Sequence, residues 1–338
     1  MKMKNPKYSR NNYKLNLGIE ILRMILCFWV ITFHFAGDKN KRKYKIINTL
    51  YHIPTFMLIS FYFSYKTFFS NDIIKYKKRL ERLLIPYIIW PIIILTISNS
   101  YNSINFKRLI IILSIQYITG AKIIVFYWFI QILIFFCIFF QIIIFLFKKQ
   151  SLLIFHIFTI ISYLILYNGI NYTNYFNYPL YLKSISHIAE MMPIAITGLT
   201  LRNIDIFKAL SNNKIKSISF SMIFLYFIYN YNVFGQFNRF PYSGLKPNIA
   251  GICLFISFFL IPFNLFKNSI IITYIKLVTR YTGGIYYLQY ITFHLLRRIK
   301  FIEERPFSRC FIIYAFGYLI CTIFTKIFRN NRLKYLFI

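Results

Sequence analysis

Long apolar blocks alternate with short basic segments along the whole of this 338-residue chain. Few charges lie inside the blocks, and lysines and arginines cluster at their edges. A helix needs about 20 apolar residues to cross a hydrocarbon core of roughly 30 Å. The pattern therefore predicts an all-α polytopic membrane protein, with about ten transmembrane helices in a single bundle. The predicted spans are residues 17–36, 46–69, 83–98, 123–147, 152–167, 182–201, 215–230, 248–267, 281–299 and 309–328.

The segments between the spans are short, and none of them looks like a separate module. "FKRLIIILSIQYI" (106–118) is too short and too amphipathic for a span, so we expect it at the membrane interface. The expected organisation is a basic cytoplasmic tail at 1–16, one membrane domain at 17–330 and a short cytoplasmic tail at 331–338.

Composition supports this interpretation, because the chain is 58% hydrophobic and only 14% charged, whereas soluble domains are about a quarter charged. The cysteines form no CxxC pair and lie in or beside apolar blocks, so we expect buried side chains and neither disulfides nor a metal site. These cysteines are Cys27, Cys137, Cys253, Cys310 and Cys321.

The formal net charge of +33 comes from cations that flank the apolar blocks, where they normally set membrane topology. Their distribution favours both termini in the cytoplasm, in a bacterial cytoplasmic membrane. No soluble basic module is present, so we expect contacts with anionic lipid head groups and no nucleic-acid partner.

Ionisable side chains inside a membrane span are costly and are functional candidates by default. Arg23 and His34 are eleven residues apart, which places them within roughly 20° on one helix face and about 16 Å apart along the axis. That helix face must therefore lie against the protein interior or a water-filled cavity. The structural alternative is that Arg23 snorkels to head groups and His34 makes one hydrogen bond in a packed core. The ionisable residues of the spans that we take as candidates are Glu20, Arg23, His34, His187, Glu190 and His294, with His52 near a boundary.

Several motifs together resemble, in order, those of the acyltransferase-3 family. These proteins are integral membrane enzymes that O-acylate cell-surface glycans and related acceptors. The resemblance covers the first half of the chain well and the second half sparsely. The motifs are "LGIEILRMILCFWVITFH" (17–34), "HIPTFMLISFYF" (52–63), "KKRLERLLIPYIIW" (77–90), "FYWFIQIL" (126–133) and "YTGGIYYLQY" (281–290).

Two positions depart from the family pattern. Phe61 stands where relatives have glycine after Ser60, which puts a tight helix approach there in doubt. Gln289 stands where relatives have histidine, and an amide cannot take a proton at neutral pH. His294 is five residues further on, about 140° around a helix, so it does not replace that histidine.

Acyl transfer to a hydroxyl needs a base, a stabilised oxyanion and a positioned donor. His34 is the expected base, because imidazole titrates near pH 6.5, and it could instead carry the acyl group covalently. Arg23 suits an anionic or carbonyl part of the donor. Glu190 is expected to orient His34 or to pair with Arg23, and the alternative is a local pair with His187.

The resemblance implies a cytoplasmic acyl-CoA co-substrate, expected to be acetyl-CoA, and no permanently bound cofactor. Arg79 and Arg82 match the family's basic motif and are expected to hold its phosphates, although basic residues that flank a span also set topology. Ser60 and Trp128 are candidate residues for binding the glycan or lipid-linked acceptor. Their structural alternatives are a small packing residue and an aromatic belt at the membrane interface.

Two other functions remain open at this point. A lipid-linked glycan flippase, a polymerase-type transporter or a proton-coupled transporter would also be polytopic. A proton-coupled transporter is expected to carry carboxylates near the midplane of several helices, and here Glu190 alone lies deep in a later span. A non-catalytic member that kept the family fold is compatible with Gln289.

Overall fold

The computed structural model describes residues 16–35, 51–70, 72–99, 128–168, 180–204, 214–233, 245–261, 270–296 and 306–338. Over these ranges the protein is all-helical. The α-helices are α1 (Leu17–Phe35), α2 (His52–Phe69), α3 (Ile73–Asn99), α4 (Trp128–Phe147), α5 (Ser151–Asn168), α6 (Leu180–Asn203), α7 (Lys214–Val233), α8 (Leu245–Leu260), α9 (Ile270–Thr279), α10 (Thr282–Leu296) and α11 (Pro306–Ile327). Short 3-10 helices occur at Lys148–Gln150 and Arg332–Leu336.

Each predicted span overlaps one helix, and the short helix α9 is additional. In the described part of the chain, three helices are long and apolar enough to cross a membrane by length and composition alone. These are Leu17–Phe35, Phe129–Phe147 and Phe307–Ile327. Shorter apolar helices lie at Ser151–Ile165, Ile215–Tyr226 and Asn248–Leu260. The helical class is therefore confirmed, the count of ten spans stays a prediction, and the segment 106–118 lies outside the described residues.

Helix α3 begins at Ile73, well before the predicted span at 83–98. The Asp72 carboxylate accepts a hydrogen bond from the Lys75 backbone N–H at 3.0 Å and contacts the Lys75 ammonium at 2.8 Å. The hydrogen bonds from Lys75 lower the pKa of Asp72. An acceptor at this position satisfies helix N–H groups that have no partner within the helix. The helix therefore starts in a polar segment that hydropathy alone would exclude.

Helix α1 lies at the centre of one half of the bundle, against α2, α8, α9, α10 and α11. It runs parallel to α10, because Arg23 contacts Thr282 near both helix starts and Phe35 stacks on Phe293 near both ends. It runs antiparallel to α11, since Arg309 contacts Phe35 near the start of α11. The two ends of this group are named here the Arg23 end and the His34 end.

Helices α2 and α6 cross at very short distance. A Cβ added to Gly198 of α6 would lie 2.6 Å from the Leu58 carbonyl oxygen and 3.1 Å from the Tyr62 nitrogen. Phe61 is fully buried, and its ring packs against that of Phe140 with centroids 5.1 Å apart. The close approach that Phe61 put in doubt therefore exists, because α6 rather than α2 supplies the glycine.

Residues 332–338 fold back onto the helices. The Trp90 indole N–H donates to the Leu336 carbonyl oxygen at 3.1 Å, and the Phe337 ring stacks on Phe324 with centroids 5.1 Å apart. An added Cβ on Gly284 would lie 2.6 Å from the Phe337 carbonyl carbon. The segment expected as a short tail is thus packed against α3, α10 and α11, and its side of the membrane stays a prediction.

Candidate functional site

Arg23 is held by two different partners. Its guanidinium contacts the Glu20 carboxylate at 3.1 Å, three residues earlier on α1. It also donates to the Thr282 hydroxyl of α10 at 3.1 Å. About a third of the side chain, 34%, stays exposed. A guanidinium has five N–H donors, so these partners leave capacity for an anionic or carbonyl group of a ligand.

His34 lies at the other end of α1, about 16 Å from Arg23 by helix rise. It is partly buried, and its ring centroid lies 5.3 Å from that of Phe33. Phe33 in turn packs on the fully buried His52 of α2, with centroids 5.5 Å apart. The sequence analysis placed His52 only at a span boundary, and the structure brings it to the His34 end.

Glu190 and His187 form a local pair on α6. The His187 Nδ1 lies 3.0 Å from a Glu190 carboxylate oxygen, as the three-residue spacing predicts, and Glu190 is buried. Gly198 lies opposite Leu58 and Asn203 accepts a hydrogen bond from Tyr65, so α6 runs parallel to α2. Glu190 therefore lies about 12 Å from that crossing, towards the His34 end. Arg23 contacts Glu20 at the opposite end, so the structure places Glu190 beside His187, and its expected role towards His34 stays a prediction.

Arg309 of α11 is a cation at the His34 end that the sequence analysis missed. Its guanidinium donates to the Phe35 carbonyl oxygen at 2.5 Å, one residue beyond His34. It also lies 5.5 Å from the centre of the Phe293 ring, within the range of a cation–π contact. In the sequence, Arg309 resembles the cations that flank spans. Its position three residues after Pro306, inside the helix, distinguishes it from them.

Two buried carboxamides also lie on helices next to α1. Both amide atoms of Gln289 on α10 and of Asn248 on α8 lack a hydrogen-bond partner among the described residues. Gln289 follows Thr282 by seven residues, so both side chains project from one face of α10. Asn248 precedes Gly251, which packs against Thr55 of α2. The surroundings of α1 thus contain polar groups that packing leaves unsatisfied.

The structure does not gather the remaining predicted residues around His34. Arg79 donates to the Ser60 hydroxyl at 3.0 Å, which joins α3 to the middle of α2. Ser60 lies eight residues beyond His52, about 12 Å along α2 from the His34 end. Arg82 is exposed, with its guanidinium 5.6 Å from the centre of the Tyr335 ring.

Two aromatic or titratable candidates fall partly outside the described residues. Trp128 begins α4, and its side chain is not among those described. Its neighbour Phe129 has a ring centroid 6.4 Å from that of Tyr286 on α10. The side chain of His294 is likewise outside the described part, so its relation to His34 stays a prediction.

A family model described as an acyltransferase domain matches residues 16–328 of the 338. The chain belongs to the acyltransferase-3 family. No curated protein and no solved structure matches it. The acyltransferase-3 domain includes every α-helix described above and ends before the packed segment 332–338. Family membership, with the apolar helices, identifies a membrane acyltransferase in general terms.

Proposed function

We propose that this acyltransferase-3 protein moves an acyl group, expected to be acetyl, from a cytoplasmic acyl-CoA to a hydroxyl of a surface polysaccharide or its lipid-linked precursor. The observation that carries the proposal is the placement of Arg23 and His34 at opposite ends of one face of α1. A donor that reaches from one end to the other would carry its acyl group through the protein.

The chemistry assigns His34 the proton transfer. Its imidazole accepts the proton of the acceptor hydroxyl while the hydroxyl oxygen attacks the thioester carbonyl carbon. The carbon–sulfur bond then breaks, and the imidazolium returns the proton to the leaving thiolate. A covalent acyl-imidazole is the alternative for the same residue. Glu190 and His187 support this assignment as a polar pair at the same end of the bundle, with Glu190 buried and His187 partly exposed.

Donor binding is assigned to the opposite end. Arg23 keeps exposed surface beside Thr282 and suits an anionic or carbonyl part of the donor. Arg82 is exposed and suits the phosphates of the coenzyme. Arg79 is engaged with Ser60, so its contribution is to position α3 as well as to add positive charge. The proposed route runs from a cytoplasmic Arg23 end to the His34 end.

The test is a comparison of surface glycan from wild-type, deletion and His34→Ala strains, by mass spectrometry before and after mild alkali. We expect both mutants to lose an alkali-labile acyl mass increment while glycan chain length stays unchanged. His156→Ala is the matched control, because His156 is exposed on α5 and contacts Thr200 at 3.5 Å, away from α1.

The rival function is export of a lipid-linked glycan by a flippase or a polymerase-type transporter. Loss of the whole polymer in the His34→Ala strain would favour that function over acyl transfer. Unchanged acylation in that strain would contradict the assignment of His34, whatever the fate of the polymer. Equal loss in His156→Ala would show that the effect comes from expression and not from chemistry.

A further inference from the structure

Gln289 carries the clearest unexplained polar group in the described part of the protein. The side chain is 1% exposed, yet neither its Oε1 nor its Nε2 has a hydrogen-bond partner there. A buried donor or acceptor without a partner costs about 1–3 kcal/mol. The mechanism above leaves this amide without a role, and an amide cannot replace the histidine of relatives as a proton carrier.

The position of Gln289 on α10 is fixed by contacts on either side of it. Thr282 contacts Arg23, and Phe293 stacks on Phe35 with ring centroids 4.6 Å apart. Gln289 lies between these two contacts on the same stripe of the helix, about 10 Å from Thr282 and about 6 Å from Phe293 along the axis. Its amide therefore faces α1 between Arg23 and His34.

The residues of α1 at this level cannot satisfy an amide. Since α1 and α10 run parallel, the register that pairs Arg23 with Thr282 brings Gln289 level with Val30. Val30 and its neighbour Ile31 are buried and apolar. A carboxamide in this position has one donor group and one acceptor to offer, so its best partner is a group that presents an acceptor and a donor side by side.

We propose that Gln289 binds the amide of the pantetheine arm of the donor that lies nearest the thioester. A secondary amide presents an N–H and a C=O, which match the two orphaned atoms of Gln289. In the arm, two methylene groups separate the thioester sulfur from this amide nitrogen, a distance of about 4 Å. Gln289 precedes the level of His34 by about 6 Å along the axis, so this contact would place the thioester at His34.

This inference rests on the proposed acyl-CoA donor. It adds the residue that determines how far the pantetheine arm extends towards His34. Gln289 is a binding residue here, because it touches the donor away from the reacting carbonyl. The contact also accounts for an amide where relatives carry histidine, since the required property is paired hydrogen bonding and not titration.

The test compares two small donors in membranes that contain the protein. One is the S-acetyl thioester of N-acetylcysteamine, which keeps the amide and lacks the phosphates. The other is an S-acetyl alkyl thioester of similar length without the amide. We expect the wild type to prefer the amide-bearing donor by about tenfold in kcat/KM, the size of one pair of good hydrogen bonds. In Gln289→Met the ratio should fall close to one.

The matched control is Gln141→Met on α4, which makes the same substitution at a half-buried glutamine whose Oε1 also lacks a described partner. It should keep the wild-type donor preference. Thermal unfolding gives a second measurement, because Gln289→Met removes an unsatisfied buried amide and should leave Tm equal or higher. A purely structural role for Gln289 predicts a lower Tm instead.

The outcomes test the role of Gln289 and the proposed function separately. An unchanged donor ratio in Gln289→Met, with wild-type activity present, overturns the inference alone. A loss of discrimination between acceptor and deoxy-acceptor, with the donor ratio unchanged, also overturns it and assigns the amide to the acceptor. Failure of the wild type to transfer from acetyl-CoA and from both small donors overturns the proposed function itself.

Discussion

Arg23 shows how a charged side chain is accommodated inside an apolar helix. Glu20, three residues away, reduces the cost of the charge from within the same helix. Thr282 comes from another helix and fixes the direction of the guanidinium. The two partners therefore do different things, since Glu20 neutralises the charge and Thr282 orients it.

This division predicts the effect of Thr282→Val. Arg23 would keep its charge partner and lose its orienting partner, so the proposed function predicts weaker binding of acyl-CoA with proton transfer at His34 unaffected. A hydrogen bond to a charged group contributes about 1.5–3 kcal/mol, so KM should rise by about tenfold or more with kcat within a factor of about two. The measurement is steady-state transfer from acetyl-CoA in membrane vesicles.

Thr322→Val is the control for this variant. The Thr322 hydroxyl of α11 donates within its own helix to the Tyr318 carbonyl oxygen at 2.9 Å. Thr282 also donates to a backbone carbonyl oxygen, that of Thr279 at 3.0 Å, so Thr322→Val tests the loss of a hydroxyl-to-carbonyl bond on its own. A KM that rises equally in both variants would contradict the orienting role.

At the scale of elements, the contact between α2 and α6 decides where one end of the site lies. Gly198 lets the two backbones approach, and Arg202 then donates to the Tyr62 hydroxyl at 2.9 Å. The parallel course of these helices carries Glu190 and His187 towards His52. A wider separation of α2 and α6 would therefore move the Glu190–His187 pair relative to His34.

Substitution of alanine for glycine at two helix positions tests this crossing. Gly198→Ala would place a Cβ 2.6 Å from the Leu58 carbonyl oxygen, and such overpacking costs about 1–3 kcal/mol. Gly317→Ala of α11 would meet Ile285 at an ordinary 3.5 Å. Since alanine is the better helix former by about 1 kcal/mol, Gly317→Ala should keep or raise Tm.

The measurement is thermal unfolding of both variants in one detergent. We expect Gly198→Ala to lower Tm by a few degrees. If Gly198→Ala unfolds at the wild-type temperature, the crossing is more tolerant than its distances imply, and the placement of Glu190 no longer depends on it.

At the scale of the whole molecule, the pattern of apolar and polar residues predicted the helices but not which helices pack together. Among the helices of the described residues, the apolar blocks predicted ten and missed the ten-residue α9. Thr282 and Arg309, by contrast, contact α1 across 259 and 274 residues of chain. Hydropathy is a local quantity, so it cannot say which helix faces which. The face shared by Arg23 and His34 was predictable because a single helix determines it.

The packed segment 332–338 gives a prediction at the same scale. Trp90→Phe removes the indole N–H that donates to Leu336, which should cost about 1 kcal/mol. Trp29→Phe is the matched control, because the Trp29 indole nitrogen is buried without a described partner. We expect Trp90→Phe alone to lower Tm and to speed proteolysis within 332–338. Equal effects in both variants would show that ring size, and not the hydrogen bond, holds the segment.

The long-range contacts of α1 also have a consequence for biogenesis. A chain is synthesised from its N-terminus, so α1 emerges well before α8, α10 and α11, which pack against it. During most of translation Arg23 has Glu20 within its own helix, and Thr282 does not yet exist. Until α10 is made, the ion pair with Glu20 stabilises the charge of Arg23 while α1 lies in the bilayer. The helix proposed to carry the chemistry is therefore made well before three of the helices that pack against it.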